Sequence, residues 1–435
     1  MNSDDNYIKE KKSFLREKWE IFFLKIVEKR MLEFESQKDK ILFIRGKDDL
    51  KKVLNDGIEN KSYRFVVIST PLNNFDNLVY FFNRINTIFN EDTHIIVNYY
   101  SNLWRFIFFI TSKLGITNYF KNECYFSKKI FDTFLQSTNY RVSNYIDEPL
   151  IPINIFFLTK FLYLFSNIFT FFKFFSVTKM CILRKKTRNE KNILKKSSII
   201  IPCKNEENNI ENIILEAKKL SFPKELVFID DKSDDNTLKI IQEQKKLNPN
   251  IEIKIINGLG KGKYKAVKLG LQNASGYYSM IFDADITVDV CDLELFYEAI
   301  LNNRADIVNG SRLIYKPYAG AMKKLNYIGN IFFAKLLSFI ISSNVTDTLC
   351  GTKCFKTKDY KIFDEFEEKN KIYDLWGDFN ILFSTSLFGL KIIDLPVRYK
   401  KREEGVTKMD RKFYFFINMI ITCAKAFYRL KLKSI

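Results

Sequence analysis

Short apolar runs alternate with amphipathic stretches from Ile41 almost to the end of the chain. That is the pattern of strands alternating with helices, so the expected class is α/β. In the first half, ILFIR (41–45), RFVVIS (64–69), HIIVN (94–98), YRVSNYI (140–146) and TKMCILR (178–184) predict strands, with helices filling most intervals. The second half restarts with SSIIIP (197–202), ELVFIDD (225–231), IEIKIING (251–258), YYSMIFDAD (277–285) and ADIVNGS (305–311). Helices are predicted between them: one from Glu206, one to about Lys246, one across Ala266–Asn273. In the first of these, Ile210, Ile213, Ile214 and Ala217 recur at the spacing of a single helix face, which should pack on the sheet. Arg184–Lys196 (RKKTRNEKNILKK) is basic, has no apolar periodicity and reads as a linker. The expected organisation is a first domain over 1–183, the linker 184–196 and a second domain over 197–435.

Composition changes this picture little. With 435 residues, 46% of them hydrophobic and 16% aromatic, two packed domains are expected and global disorder is excluded. The formal charge of +19 invites a nucleic-acid partner. Yet the basic residues are spread among Asn, Ile and Phe, with no aromatic–basic RNA motif and no zinc-finger spacing. No nucleic acid is therefore expected, and anionic sugar nucleotides and anionic lipids suit the charge better. Seven cysteines with no CxxC pair and no secretory signal predict a reduced, cytoplasmic protein. His94 is the single histidine, which excludes a two-histidine metal site and argues against a Ser-His-Asp mechanism in the second half. The apolar runs Phe161–Phe172 and Phe413–Ala424 fall short of the ~18–20 residues that cross a bilayer. Peripheral attachment at the inner face of a membrane stays open, because 413–430 reads equally as an interfacial or a core helix, while 149–175 reads as a core helix ahead of an interfacial one.

Chemistry gathers where strands end. Ligands of open parallel sheets bind beyond the carboxyl ends of the strands. There the chain carries Asn205 and Glu206, then Asp230–Asp231 followed by KSDDNT, then Asp283–Ala284–Asp285. The glycine-rich GLGKGKYKAV, with Lys261 and Lys263, lies between them. Carboxylates leaving a strand on alternate residues can share a hard divalent ion, Mg²⁺ or Mn²⁺, which neutralises a diphosphate. Negative charge builds on a departing diphosphate, so a cation and lysines lower that barrier. Each acidic motif alone could be a helix cap, as could Ser233 or Asp234. Their combination at successive strands favours a ligand site.

These motifs resemble a glycosyltransferase family 2 domain of GT-A fold, in the branch that includes dolichyl-phosphate sugar synthases. IPCKNEENNI is similar to the family's P-x-x-N-E opening and DDKSDDNT to its D-D-x-S-x-D-x-T. GKGKYKAVKLG is similar to G-x-G-K-G-x-A-V-x-x-G, with Tyr264 in place of a glycine. FDADIT, VNGSRL, DTLCGTK (347–353), GDFNILF (377–383) and LPVRYKKREEGVTK (395–408) follow in family order. The resemblance implies an inverting transferase that takes a sugar from a nucleotide-sugar donor to an acceptor such as a polyprenyl phosphate or a surface-glycan precursor. It places Pro202, Asn205, Glu206, Asp230, Asp231 and Lys263 on the nucleotide, and Asp283 and Asp285 on the metal and diphosphate. Arg312, Asp347 and Lys353 would line the acceptor region, and Arg402 and Lys408 would close over the phosphates. Asp285 and Asp378 are the catalytic candidates, Asp378 as general base if the acceptor is a hydroxyl. A lipid-phosphate acceptor needs no base. The rival reading is an inactive nucleotide-sugar-binding or assembly protein.

The first half resembles the later part of a class I methyltransferase domain, on RFVVIS, DTHIIVNYYSNLW and the two strands that follow. Bacterial fusions of such a domain to a family 2 glycosyltransferase exist. Binding S-adenosylmethionine in that fold needs a glycine-rich turn after the first strand, where RGKDDLKKVL offers only Gly46. The interval before the next strand holds one crossover helix. A trimmed, Rossmann-like sheet without a cofactor site is expected, rather than a bifunctional enzyme.

Overall fold

The computed structural model describes residues 41–432, apart from 57–62, 76, 114–125, 137, 147–175, 177, 187–193, 315–321, 371, 373–376 and 401–411. The expectations for 149–175, Arg402 and Lys408 lie outside the described residues. Two compact units divide the chain: Met1–Arg188 with Lys431–Ile435, and Asn189–Leu430.

In the first unit the apolar runs form β1 (Ile41–Ile44), β2 (Phe65–Ile68), β3 (His94–Tyr100), β4 (Tyr140–Ile146) and β5 (Thr178–Lys185). Helices α1 (Gly46–Asp56), α2 (Leu78–Ile88), α3 (Arg105–Lys113) and α4 (Lys128–Gln136) occupy intervals between them. The sheet order is β1-β2-β3-β5-β4, with β1 to β3 parallel and β5 antiparallel to both its neighbours. Helix α1 begins at Gly46, directly after Arg45, so no glycine-rich turn follows β1. Polar groups at the ends of β2 and β3 tie the strand ends together. Asn98 Nδ2 donates to Ser69 O (2.9 Å), and Asn73 Oδ1 accepts from Tyr100 N (2.6 Å). His94 is buried with its ring 5.0 Å from that of Phe65.

The second unit follows the predicted alternation through β6 (Ser197–Cys203), α5 (Ile210–Lys218), β7 (Lys224–Asp230), α6 (Thr237–Leu247), β8 (Glu252–Asn257), α7 (Lys263–Gln272) and β9 (Tyr278–Ile281). It continues with α8 (Leu293–Leu301), β10 (Ile307–Ser311), α9 (Lys324–Ile341), β11 (Lys353–Lys356), α10 (Tyr360–Asn370), α11 (Asp378–Phe388), β12 (Ile392–Pro396) and α12 (Lys412–Phe427). The sheet order is β12-β10-β11-β9-β6-β7-β8, and β11 runs antiparallel to both β9 and β10. Ile210, Ile213, Ile214 and Ala217 bury the predicted face of α5. Helix α7 packs on the sheet at Gly270, where a Cβ would come within 2.5 Å of Ile200 and 2.7 Å of Ile229. That close approach seats the N-terminus of α7, and Lys263 with it, at the strand ends.

Three expectations need correction. The helix expected from Glu206 begins at Ile210, because the backbone of residues 205–207 is spent on hydrogen bonds to the neighbouring loop. The strand expected over 277–285 ends at Ile281, so Asp283 and Asp285 stand on the turn beyond it rather than in extended chain. There Asp285 Oδ1 accepts from Thr287 N (3.2 Å) and Thr287 Oγ1 (2.8 Å). Lys196, read as linker, is anchored instead: its Nζ lies 3.0 Å from buried Glu225 and 2.6 Å from Glu252. Glu225 also accepts from Ser198 Oγ and from the amide and hydroxyl of Ser275. Burial opposes its ionisation, but Lys254 and these donors hold its carboxyl well below the usual range.

Candidate active site

Strands β6 and β7 end side by side, with Cys203 opposite Asp230 in the register, and their two loops are sewn together. Asn205 N donates to Ser233 Oγ (3.0 Å), and Asn205 Oδ1 accepts from Asp234 N (2.8 Å). Glu206 N donates to Thr237 Oγ1 (2.9 Å), Glu207 N to Asp235 Oδ2 (3.3 Å), and Glu207 Oε2 accepts from Asn236 N (2.9 Å). The polar residues of NEE and SDDNT thus satisfy one another's backbone groups beside the ligand face. This exchange needs Asn205 in the left-handed region (φ 55°), which asparagine tolerates better than most residues.

Asp231 has a structural task beside the one its motif implies. It is buried, and its two carboxylate oxygens accept from Gly260 N (2.7 Å) and Gly262 N (2.8 Å). The carboxylate thereby folds the glycine-rich loop. Gly258 has no room for a Cβ, which would sit 2.8 Å from Asp231 Cα. Asp230 is also buried; its Oδ2 accepts from Ser233 N at 3.4 Å, and its carbonyl accepts from Gly258 N (2.7 Å). Pro202 lies in β6, opposite Ile229.

The loop delivers Lys263 as the first residue of α7, behind Gly262 (φ 91°). Its Nζ lies 2.7 Å from Asp283 Oδ1 and 2.9 Å from Oδ2. Burial disfavours the ammonium, yet the carboxylates of Asp283, Asp378 and Asp285 outweigh it and hold Lys263 above the usual lysine range. Three acids from two parts of the chain, Asp283 with Asp285 on one turn and Asp378 at the head of α11, therefore converge on one lysine at the carboxyl edge of the sheet. The chain over 350–352 covers this pair: a Cβ at Gly351 would lie 2.4 Å from Asp283 Oδ2 and 2.6 Å from Lys263 Nζ. Tyr264, the departure from the family pattern, turns its ring aside to Gly377 (φ 82°), where a Cβ would stand 2.4 Å from it. It lines a small pocket of about 30 Å³ with Val267, Phe363 and Ile381.

Asp378 opens α11, and its carboxylate accepts from Lys353 Nζ (2.9 Å), which also donates to Cys350 O (2.5 Å). Lys353, expected to line the acceptor region, is fully buried on β11, and Asp378 is buried too. Arg312, partly buried, and Asp347, fully buried, form a second pair rather than an open surface. Arg312 Nε and Nη2 donate to Asp347 Oδ2 (2.7 Å) and Oδ1 (2.9 Å), the paired geometry that makes arginine–carboxylate contacts strong. Asp347 also accepts from the Arg312 amide, Asn330 Nδ2 and the Leu349 amide. Burial pushes its carboxyl up, but the guanidinium and these donors win and bring it down to about 2. Asp347 thus holds Arg312, whose guanidinium lies over the Tyr399 ring at 5.1 Å.

Backbone strain singles out the same place. Five non-glycine residues among those described have left-handed φ, and three of them, Asn205, Lys232 and Ile286, follow β6, β7 and β9. A β-branched residue in that region is rare, and such strain concentrates at functional sites. Sequence reasoning missed Ile286 and Gly351. A glycine four residues after Asp347 and two before Lys353 was the available signal for the second.

Residues 198–379 match the family described as Glycosyl transferase family 2. A dolichyl-phosphate hexose transferase of Haloferax volcanii is 25% identical over 213 residues, covering 49% of this chain and 86% of its own. A dolichyl-phosphate beta-glucosyltransferase of Dictyostelium discoideum is 26% identical over 219 residues, covering 46% of this chain and 65% of its own. The crystal structure of glucosyl-3-phosphoglycerate synthase from Mycobacterium tuberculosis with Mn²⁺, UDP and glucosyl-3-phosphoglycerate aligns with a TM-score of 0.40 at 15% identity, over 53% of this chain and 80% of that one.

Proposed function

We propose that this chain, whose residues 198–379 match glycosyl transferase family 2, is a glycosyltransferase that moves a sugar from a nucleotide-sugar donor to an acceptor that is already an anion, a polyprenyl phosphate. The observation that carries the donor half is the convergence of Asp283, Asp285 and Asp378 on Lys263. Asp283 and Asp285 are hard oxygen donors two residues apart. Among the described residues no cluster of three His, Cys, Asp or Glu forms a cation site by itself. Two carboxylates suffice for a Mg²⁺-type ion that takes its other ligands from phosphates and water, so the residues fit. When bound, such an ion neutralises charge on the leaving diphosphate. Lys263 supplies a further positive charge at the same point.

Asp378 supports the anionic acceptor. A general base must be able to take a proton, yet this carboxylate is buried and already receives the Lys353 ammonium. A phosphate oxygen needs no deprotonation. It attacks the anomeric carbon as the bond to the diphosphate breaks, the electron pair leaving with the nucleoside diphosphate and the configuration inverting. Resemblance to the dolichyl-phosphate transferases supports the same acceptor class.

A membrane-facing surface would bring that acceptor to the site. Helix α9 has 18 residues of mean hydropathy 1.2, and Lys335 divides its apolar sequence into two shorter uncharged runs. It packs on α12 through Phe333–Phe416 and Phe339–Phe427. Together they leave Leu325, Ile328, Phe332, Phe416, Ile417 and Ile421 exposed, with Lys323, Lys324 and Lys425 also exposed. This suits an interfacial platform on an anionic leaflet. The protein is expected to float with phosphatidylglycerol-containing vesicles, and the pair Ile328→Asp with Ile417→Asp to stay in the dense fraction. Equal flotation of both proteins would exclude the platform.

For the first unit we infer a trimmed methyltransferase-type sheet with a packing or scaffolding role. The missing glycine turn at Gly46 and the contiguous order of the remaining strands support it. One thermal-shift panel tests both halves, with UDP- and GDP-sugars plus Mn²⁺ on one side and S-adenosylmethionine on the other. A donor at 100 times its Kd adds ~2.7 kcal/mol, which moves a midpoint by roughly 5–10 °C. S-adenosylmethionine is expected to move nothing. No response to any nucleotide sugar would sink the donor reading, and a clear response to S-adenosylmethionine would sink the scaffold.

A further inference from the structure

The contact between Lys263 and Asp283 bears on how a donor and its cation enter, and the inference rests on the donor-site reading above. Both oxygens of Asp283 face the Lys263 ammonium, at 2.7 and 2.9 Å, so the edge that would take a cation is occupied by a cation of the protein's own. The pair is closely confined. The Gly351 backbone admits no Cβ beside either partner, and Gly270 fixes the helix that presents the lysine. The two side chains remain 28% and 33% exposed, so the ammonium can swing toward a ligand. Asp285 turns one oxygen to Thr287, accepting from its amide and its hydroxyl. An ammonium and a divalent ion on one carboxylate edge repel strongly at such distances. A diphosphate offers Lys263 a multiply charged partner with several acceptor oxygens, a better match than one carboxylate.

We propose that Lys263 is an internal counter-ion that keeps Asp283 closed to divalent cations until a nucleoside diphosphate draws it away, making cation and nucleotide bind cooperatively. Free cation then binds poorly, nucleotide without cation leaves Asp283 uncompensated, and the two together satisfy every charge. Coupling of this kind is reciprocal, so the nucleotide gains from the cation the same factor that the cation gains from the nucleotide.

The test is Mn²⁺ binding by the full chain, read from the electron paramagnetic resonance signal of free Mn²⁺, alone and with UDP or GDP. For the wild type, one nucleotide is expected to tighten Mn²⁺ about tenfold or more, within the ~5- to 150-fold usual for coupled sites. Lys263→Gln should bind Mn²⁺ without nucleotide about tenfold more tightly than the wild type, and gain less from nucleotide. Lys263→Arg should keep the wild-type pattern, since it keeps the charge. Equal affinity of wild type and Lys263→Gln for Mn²⁺ alone overturns the counter-ion role, while wild-type coupling to nucleotide would leave the donor site standing. Absence of Mn²⁺ uptake by the wild type with either nucleotide overturns both.

Discussion

Asp285→Ala is expected to lower sugar transfer by roughly 10²–10³-fold while leaving the fold intact, the loss typical of removing one preorganised group that stabilises developing charge. Asp285 stands on the turn after β9, partly exposed, and accepts from the amide and hydroxyl of Thr287, two residues on. Losing those bonds should cost about 1 kcal/mol, as for other local caps. Asp285→Asn separates the two roles, because the amide oxygen can still accept from Thr287 but carries no charge. Both variants should therefore lose turnover alike, whereas only the alanine variant should lose measurable stability. Turnover by Asp285→Ala within threefold of wild type would remove Asp285 from the chemistry. A wild-type protein that binds a nucleotide sugar yet neither hydrolyses nor transfers it would favour the inactive, donor-binding reading.

Asp347→Ala should produce the largest loss of stability, about 3 kcal/mol, because it leaves the partly buried guanidinium of Arg312 without its counter-charge. The change also removes the acceptor for Asn330 and for the amides of Arg312 and Leu349. Acidity adds a signature. The folded-state pKa of Asp347 is depressed to about 2, so its contribution is fully present above the unfolded value near 4 and fades as pH falls toward 2. A shift of this size is worth roughly 2 kcal/mol. Amide hydrogen exchange in β10, followed at about pH 7 and about pH 2.5, checks both statements. Arg312→Met combined with Asp347→Leu should recover much of the loss, since paired removal leaves no stranded charge. Equal protection in wild type and Asp347→Ala would show that the pair holds nothing together.

Much of this was readable in the chain. The runs around Ile199–Ile201, Leu226–Ile229 and Val66–Ile68 are apolar without interruption because those strands are buried on both faces, so a short window finds them. Asp230, Asp283 and Asp285 announced themselves by following such runs. Strand β11 did not, since Lys353–Lys356 offers two lysines around two apolar residues and draws its place from β9 and β10 on either side. A lysine at 353 reads as a surface residue, and only the fold brings in Asp378, 25 residues on, to neutralise it. The same holds for Arg312 with Asp347, 35 residues apart. Residue types marked a polar site correctly, but which oxygen is spent on which amide is a long-range property. Asp231 shows the difference: its motif implies a grip on the nucleotide, and the fold adds a second use for its carboxylate, at two glycine amides.

That use of Asp231 limits how donor preference could be redesigned. A substitution there would not simply retune recognition of a nucleobase; it would release the turn at Gly260 and Gly262 and let the head of α7 drift, carrying Lys263 off its mark. Libraries that seek a new sugar nucleotide should therefore hold position 231 as aspartate and vary side chains around it.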